Sequence, residues 1–197
     1  MGDTGQSKPR ILLCFSGSVA TVKIPELYLE LSKVATVKLL ASSHAATFFL
    51  DASKNYKPDI WEQFLAVGGD KRIIPECLEW SSWEHVGDPV VHIQLRQWAD
   101  ILLIAPMSAD LMSKIACGIS DTLLLSVVRA WHLKKKPIIV CPAMNTEMFR
   151  HPTTESALQT FQTWGYTIVR PVSKLLACNE EGEGALADVS TIVDLAV

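Results

Sequence analysis

The sequence predicts a three-layer α/β fold built on a parallel sheet of about six strands. Three observations predict it. Short runs such as ILLCF and PIIVCP are apolar almost throughout, as strands buried on both faces must be. These runs alternate with segments of helical period, the pattern of strand–helix–strand units. Several runs end on small or polar residues, at the carboxyl edge where such sheets meet ligands.

In chain order, residues 11–15 form the first strand. Residues 19–34 form a helix, which Pro25 either enters in the first turns or kinks. Residues 35–42 are the second strand and 44–50 a short helix. From Asp51 to Trp83, the breakers Pro58, Gly68, Gly69 and Pro75 predict an irregular excursion with one short strand at 77–80. A helix at 92–99 feeds a strand at 100–106. Helices follow at 109–118 and 121–132, then a strand at 137–142. The helix at 153–165 takes Thr153 or Thr154 as cap and Gly165 as stop. The last strand spans 166–171 and a closing helix 186–197.

With 197 residues, 49% hydrophobic and 20% charged, the chain suits one domain with a core of ordinary size. A net charge of -3 argues against nucleic acid as a partner. The run Lys134-Lys135-Lys136 reads as a solvated loop. No apolar run approaches the roughly 18 residues of a membrane span. The polar start MGDTGQSKPR lacks a signal-peptide core, and Gln6 breaks the myristoylation pattern, so the expected compartment is the cytoplasm. The five Cys contain no C-x-x-C pair and no nearby His cluster, so neither a disulfide framework nor a metal site is expected. Cys14 and Cys141 fall within strands as small hydrophobes. Cys178 lies in a Gly- and Glu-rich loop and is a candidate reactive thiol.

The residues after the strands carry the functional argument. SGSVA, Ser16 to Ala20 and including Gly17, Ser18 and Val19, follows the first strand, where a Gly and two Ser at the turn let N–H groups and a helix N-terminus approach an anion. The pattern is neither G-x-G-x-x-G nor a Walker loop, so a mononucleotide such as FMN fits better than a dinucleotide; a plain tight turn fits equally well. Ser42 and Ser43 follow the second strand, either as helix caps or as partners of a phosphate or ribityl hydroxyl. Ser108, Ala109 and Asp110 repeat the arrangement after Met107, with Asp110 alternatively a cap. Three such strand ends at one sheet edge together favour a mononucleotide site. Asn145, in PAMNTEMFRHP, has donors and an acceptor in one plane suited to a substrate carboxylate or amide; the residue type alone favours a loop Asn bonded to its own backbone. Cys178, on a segment with Gly182 and Gly184, reads as part of a lid or as an incidental surface thiol. His92, at a helix start, is a candidate neutral-pH base or an ordinary surface His.

Taken together, GSVA, His92 with LRQWAD, APMSAD, GISDTLL with VVRAW, PAMNTEMFRHP, and LLAC with EGALAD resemble the phosphopantothenoylcysteine decarboxylases. These belong to the homo-oligomeric flavin-containing cysteine decarboxylases, and the resemblance runs from about Ile11 to Val193. It implies a single flavoprotein domain, 1–197, with a Rossmann-like six-stranded sheet. It implies FMN bound by Gly17, Ser18, Val19, Ser42, Met107, Ser108, Ala109, Asp110 and Ala143, within homotrimers whose sites lie at subunit boundaries. The implied substrate is 4'-phosphopantothenoylcysteine. Its CH2–SH group is oxidised to a thioaldehyde, whose C=S accepts the electrons as CO2 leaves. His92 assists removal of the thiol proton, Asn145 grips the carboxylate and Met148 packs on the substrate. Cys178 supplies a proton as hydride returns to give 4'-phosphopantetheine.

The chain departs from the family pattern at several positions. Asp110-Leu111 stands where Asn-Thr is usual, and a carboxylate there repels a flavin phosphate unless it points away. Asn179-Glu180 replaces Gly-Asp after the reactive Cys, Leu186 and Asp188 stand for Met and Glu, and Phe149 for Trp. Two other activities are compatible with the fold: a regulatory paralog that inhibits a protein phosphatase, and a peptidyl-cysteine decarboxylase. The paralogs usually lose a catalytic residue or carry long acidic tails; this sequence keeps His92, Asn145 and Cys178 and shows no such tail, so the decarboxylase is the expected activity.

Overall fold

β1 (Arg10–Phe15) is the axis of the sheet, paired in parallel with β2 (Thr36–Ala41) on one side and β4 (Ile101–Met107) on the other. The computed structural model describes residues 8–42, 45–175 and 181–197. β3 (Ile73–Ile74), β5 (Ile138–Pro142) and β6 (Thr167–Ile168) complete a six-stranded parallel sheet of order β3-β2-β1-β4-β5-β6. The order reverses direction at β1 and β4, which makes their carboxyl ends the natural crevice.

Strand periodicity divides the apolar side chains between two cores. Ile11, Leu13 and Phe15 face the same side as Leu103 and Cys141, under α1 (Ile24–Val34), α3 (Pro58–Ala66) and α10 (Val189–Ala196). Leu12 and Cys14 face the other side with Leu102 and Val140. That side is covered by α5 (Val91–Trp98), α6 (Ala109–Ala116), α7 (Leu123–Arg129) and α9 (Pro152–Thr163). Cys14 and Cys141 are fully buried, and burial pushes both thiols well above their ordinary pKa. No helix among the described residues is long and apolar enough to cross a membrane.

Several expectations are corrected. The stretch 77–80 is not a strand: α4 (Leu78–Ser81) is a helical turn, and the edge strand is Ile73–Ile74. The β-branched pair suits the edge, and Pro75, with no N–H to donate, ends it. The excursion before it is partly helical, with α2 (Ser53–Tyr56) and α3, because Pro58 sits at the first turn where its ring is pre-set for a helix. The helix expected at 19–34 begins as a 3-10 segment, Val19–Lys23, and Pro25 occupies the first turn of α1. Residues Ala45–Phe49 form a π-helical turn.

The cap of α9 is His151, whose Nδ1 accepts the Thr153 N–H at 3.3 Å. Thr154 is buried instead and donates to Met148 O at 2.6 Å. Lys136 is not simply solvated. Its ammonium donates to Arg96 O at 3.0 Å, Gln97 O at 3.1 Å and Ala99 O, a cation at the carbonyl end of α5. The segment expected to be a loop after the last strand forms an antiparallel hairpin, β7 (Val172–Leu175) and β8 (Glu181–Ala185). Cys178, Asn179, Glu180, Ser43 and His44 lie outside the described residues.

Candidate active site

β1 and β4 are locked together at their carboxyl ends by side chains. The buried Ser16 Oγ donates to Pro106 O at 3.1 Å and accepts the Ser108 N–H at 2.9 Å. It also lies 3.1 Å from Ser108 Oγ, which in turn caps α6 by accepting the Leu111 N–H. Thr21 Oγ1, fully buried, donates to Ser16 O at 3.0 Å. The turn between them is therefore fixed from both sides. Among the described residues, no acceptor meets the N–H groups of Gly17, Ser18 or Val19. The first N–H groups of α6 open at the same edge, as they do in any helix.

β5 joins this edge through Ser18, whose Oγ donates to Ala143 O at 3.2 Å. Ala143 N–H donates to Met107 O at 3.0 Å. Ser42, at the end of β2, accepts the Ala45 N–H at 3.4 Å. Asp110 directs its carboxylate outward: its side chain is 76% exposed and 3.6 Å from Lys114 Nζ. The edge thus presents N–H groups without an intruding carboxylate, and the donor set fits a phosphate monoester of the kind FMN carries.

Asn145 begins α8 (Thr146–Arg150), and its Oδ1 accepts the Glu147 N–H at 2.8 Å. This is the local backbone bond that the residue type favours. It also fixes the carboxamide plane, with the NH2 group as its donor end. Met148, on the same turn, is 55% exposed. The β8 strand closes over this turn: Met144 N–H donates to Gly184 O at 3.0 Å, and Arg150 Nε lies 3.6 Å from Glu183. Gly184 has φ +120°, and a Cβ there would lie 2.3 Å from Met144 O.

His92 opens α5 and is held by Glu79 of α4. Glu79 Oε1 lies 2.5 Å from His92 Nδ1, and Oε2 accepts the His92 N–H at 3.1 Å. Among the described residues, no hydrogen bond links His92 to the Ser16–Ser108 edge. Sequence reasoning missed Glu79, Thr21, the hub role of Ser16 and the contact made by Gly184. Ser16 and Gly184 carried signals, as one of the two serines of the SGSVA turn and as a glycine of the suspected lid segment.

A profile described as flavoprotein matches residues 3–197. A probable phosphopantothenoylcysteine decarboxylase of Arabidopsis thaliana is 45% identical over 190 residues, 96% of this chain and 88% of the relative. Among solved structures, a cysteine-to-serine mutant of PPC decarboxylase complexed with pantothenoylaminoethenethiol superposes with TM-score 0.83 at 40% identity. It covers 95% of this chain and 96% of that one. The FMN binding protein AtHal3 gives TM-score 0.81 at 39% identity, over 95% and 94% of the two chains.

Proposed function

The chain belongs to the flavoprotein family, and from that premise we propose that it decarboxylates 4'-phosphopantothenoylcysteine to 4'-phosphopantetheine, a step of coenzyme A biosynthesis. It is a decarboxylase that uses FMN. The observation that carries the reading is the Ser16–Ser108 lock, which gathers the ends of β1 and β4 around the N–H groups of Gly17, Ser18 and Val19, none of which meets an acceptor among the described residues. Those groups, with Ser42, Met107, Ser108, Ala109, Asp110 and Ala143, would hold the flavin mononucleotide. When bound, FMN supplies a two-electron acceptor for the CH2–SH group, so that the electron pair left by CO2 has a C=S bond to enter.

The chain's own residues bind, orient and move protons. Asn145 holds the substrate carboxylate through its NH2 end, its Oδ1 being committed to Glu147 N–H. Misplacing that carboxylate by about 1 Å would cost roughly 100-fold in rate. Met148 packs on the substrate. His92 takes the thiol proton through Nε2, and its relation to the flavin edge is met across a subunit boundary of a homotrimer in the cytoplasm. Cys178 returns a proton to the reduced product.

Purified protein is expected to be yellow, with flavin absorbance, and to release CO2 from 4'-phosphopantothenoylcysteine. His92→Asn abolishes turnover, whereas Cys178→Ser decarboxylates but stalls before the reduced product. A colourless protein that instead inhibits a protein phosphatase would overturn the proposal in favour of the regulatory activity.

A further inference from the structure

We propose that Glu79 is the positioning residue of His92, fixing the ring with Nδ1 protonated so that Nε2 is the basic nitrogen; this rests on His92 acting as the base. Glu79 lies on a helical turn 13 residues upstream, yet its side chain is only 7% exposed and both its oxygens are committed to His92. Oε2 accepts the backbone N–H, which caps α5 and sets where the helix begins. Oε1 meets the ring at Nδ1, 2.5 Å away. A carboxylate only accepts, so the ring must donate from Nδ1, and a neutral imidazole that donates there carries its lone pair on Nε2. The second contact does nothing for the cap. Its effect falls on the ring alone, whose rotation and tautomer it fixes. The logic is that of the carboxylate that orients the histidine in a Ser-His-Asp triad.

Glu79→Gln separates the two contacts. The backbone N–H at His92 can only donate, so the new carboxamide must turn its oxygen there and its NH2 toward the ring. Nδ1 then becomes the acceptor and the proton moves to Nε2, which leaves the cap intact and the base reversed. The 15N spectrum of the full chain labelled at histidine reads this directly, with His92 assigned by its loss in His92→Asn. Wild type should show a protonated Nδ1 and an unprotonated Nε2, and E79Q the opposite.

The turnover number of E79Q should fall about 10³- to 10⁴-fold with little change in KM. Glu79→Asp keeps a carboxylate and should restore the wild-type tautomer with an intermediate turnover number. An Nε2-protonated ring in wild type, or an E79Q protein with wild-type tautomer and wild-type turnover number, would overturn the proposal. If E79Q does not fold, the wild-type tautomer decides alone. Tautomer inversion in E79Q, beside a wild type that releases no CO2, would uphold the positioning role while sinking the decarboxylase reading.

Discussion

The Ser16 hydroxyl accepts the Ser108 N–H at 2.9 Å and lies 3.1 Å from the Ser108 hydroxyl, so one buried side chain holds the ends of β1 and β4 in register. Ser16→Ala leaves the Ser108 N–H without its acceptor, while Pro106 O keeps the Ser16 backbone N–H at 3.2 Å. Leaving such a buried group unpaired costs about 1–3 kcal/mol. The expected result is a lower melting temperature and a flavin dissociation constant raised about tenfold, roughly 1.4 kcal/mol. Absorbance titration of the flavin-stripped variant measures the second effect. Unchanged flavin affinity would show that the lock shapes the sheet and not the cofactor site.

Asn145→Asp tests the carboxamide's donor end separately from its cap. Asp is as good a helix cap as Asn, so Glu147 N–H keeps its acceptor and α8 keeps its start. If Asn145 grips the substrate as proposed, the NH2 end becomes a carboxylate oxygen that would face the substrate's own carboxylate. The variant should fold and bind flavin as wild type does, yet lose about 100-fold or more in kcat/KM, of order 2.7 kcal/mol. Steady-state kinetics beside a flavin spectrum checks both halves.

Gly184→Ala tests the closure of β8 over the PAMN turn. The new methyl would stand 2.3 Å from Met144 O at a backbone angle, φ +120°, that L side chains rarely adopt. The hairpin must lift, and the bond from Met144 N–H to Gly184 O opens. Amide hydrogen exchange at Met144 should accelerate, while amides in β1 and β4 keep their protection because the sheet does not depend on the hairpin. Turnover should fall with it, since Asn145 is the next residue along.

The sheet was legible because its strands are buried on both faces: Leu12, Leu13, Leu102, Leu103, Ile139 and Val140 leave almost no polar interruption. What escaped was set by tertiary contact. The segment 77–80 has strand-like composition, but it turns as a helix so that Glu79 faces inward to His92, a bond across 13 residues that no local pattern announces. Lys136 looked solvated because a run of three lysines usually is, and only the position of α5 reveals three carbonyls within its reach. The site was legible at the strand ends, where small residues mark close approach. Ser16 was overlooked as an anchor because its partners, Pro106 and Ser108, are about 90 residues away.

Arg10 and Asp100 offer a test of how little an exposed ion pair contributes. Arg10 Nη2 lies 2.9 Å from Asp100 Oδ1, and Oδ2 also accepts the Arg10 N–H at 2.9 Å, joining the starts of β1 and β4. The Arg10 side-chain hydrogen bond is the main reason that the Asp100 carboxyl is held below its ordinary pKa. A depressed folded pKa contributes stability that is present above the unfolded value, near 3.9, and is lost as pH falls through the folded one. Wild type should therefore exceed Asp100→Asn in stability at pH 7, and the gap should close as the pH drops below about 4. Both side chains are more than 40% exposed, so the gap is small and shrinks in salt. Urea midpoints at pH 7 and at acid pH, in urea because guanidinium would itself screen the pair, measure it. A gap that persisted in acid would show that Asp100 acts by hydrogen-bonding the strand starts and not by charge.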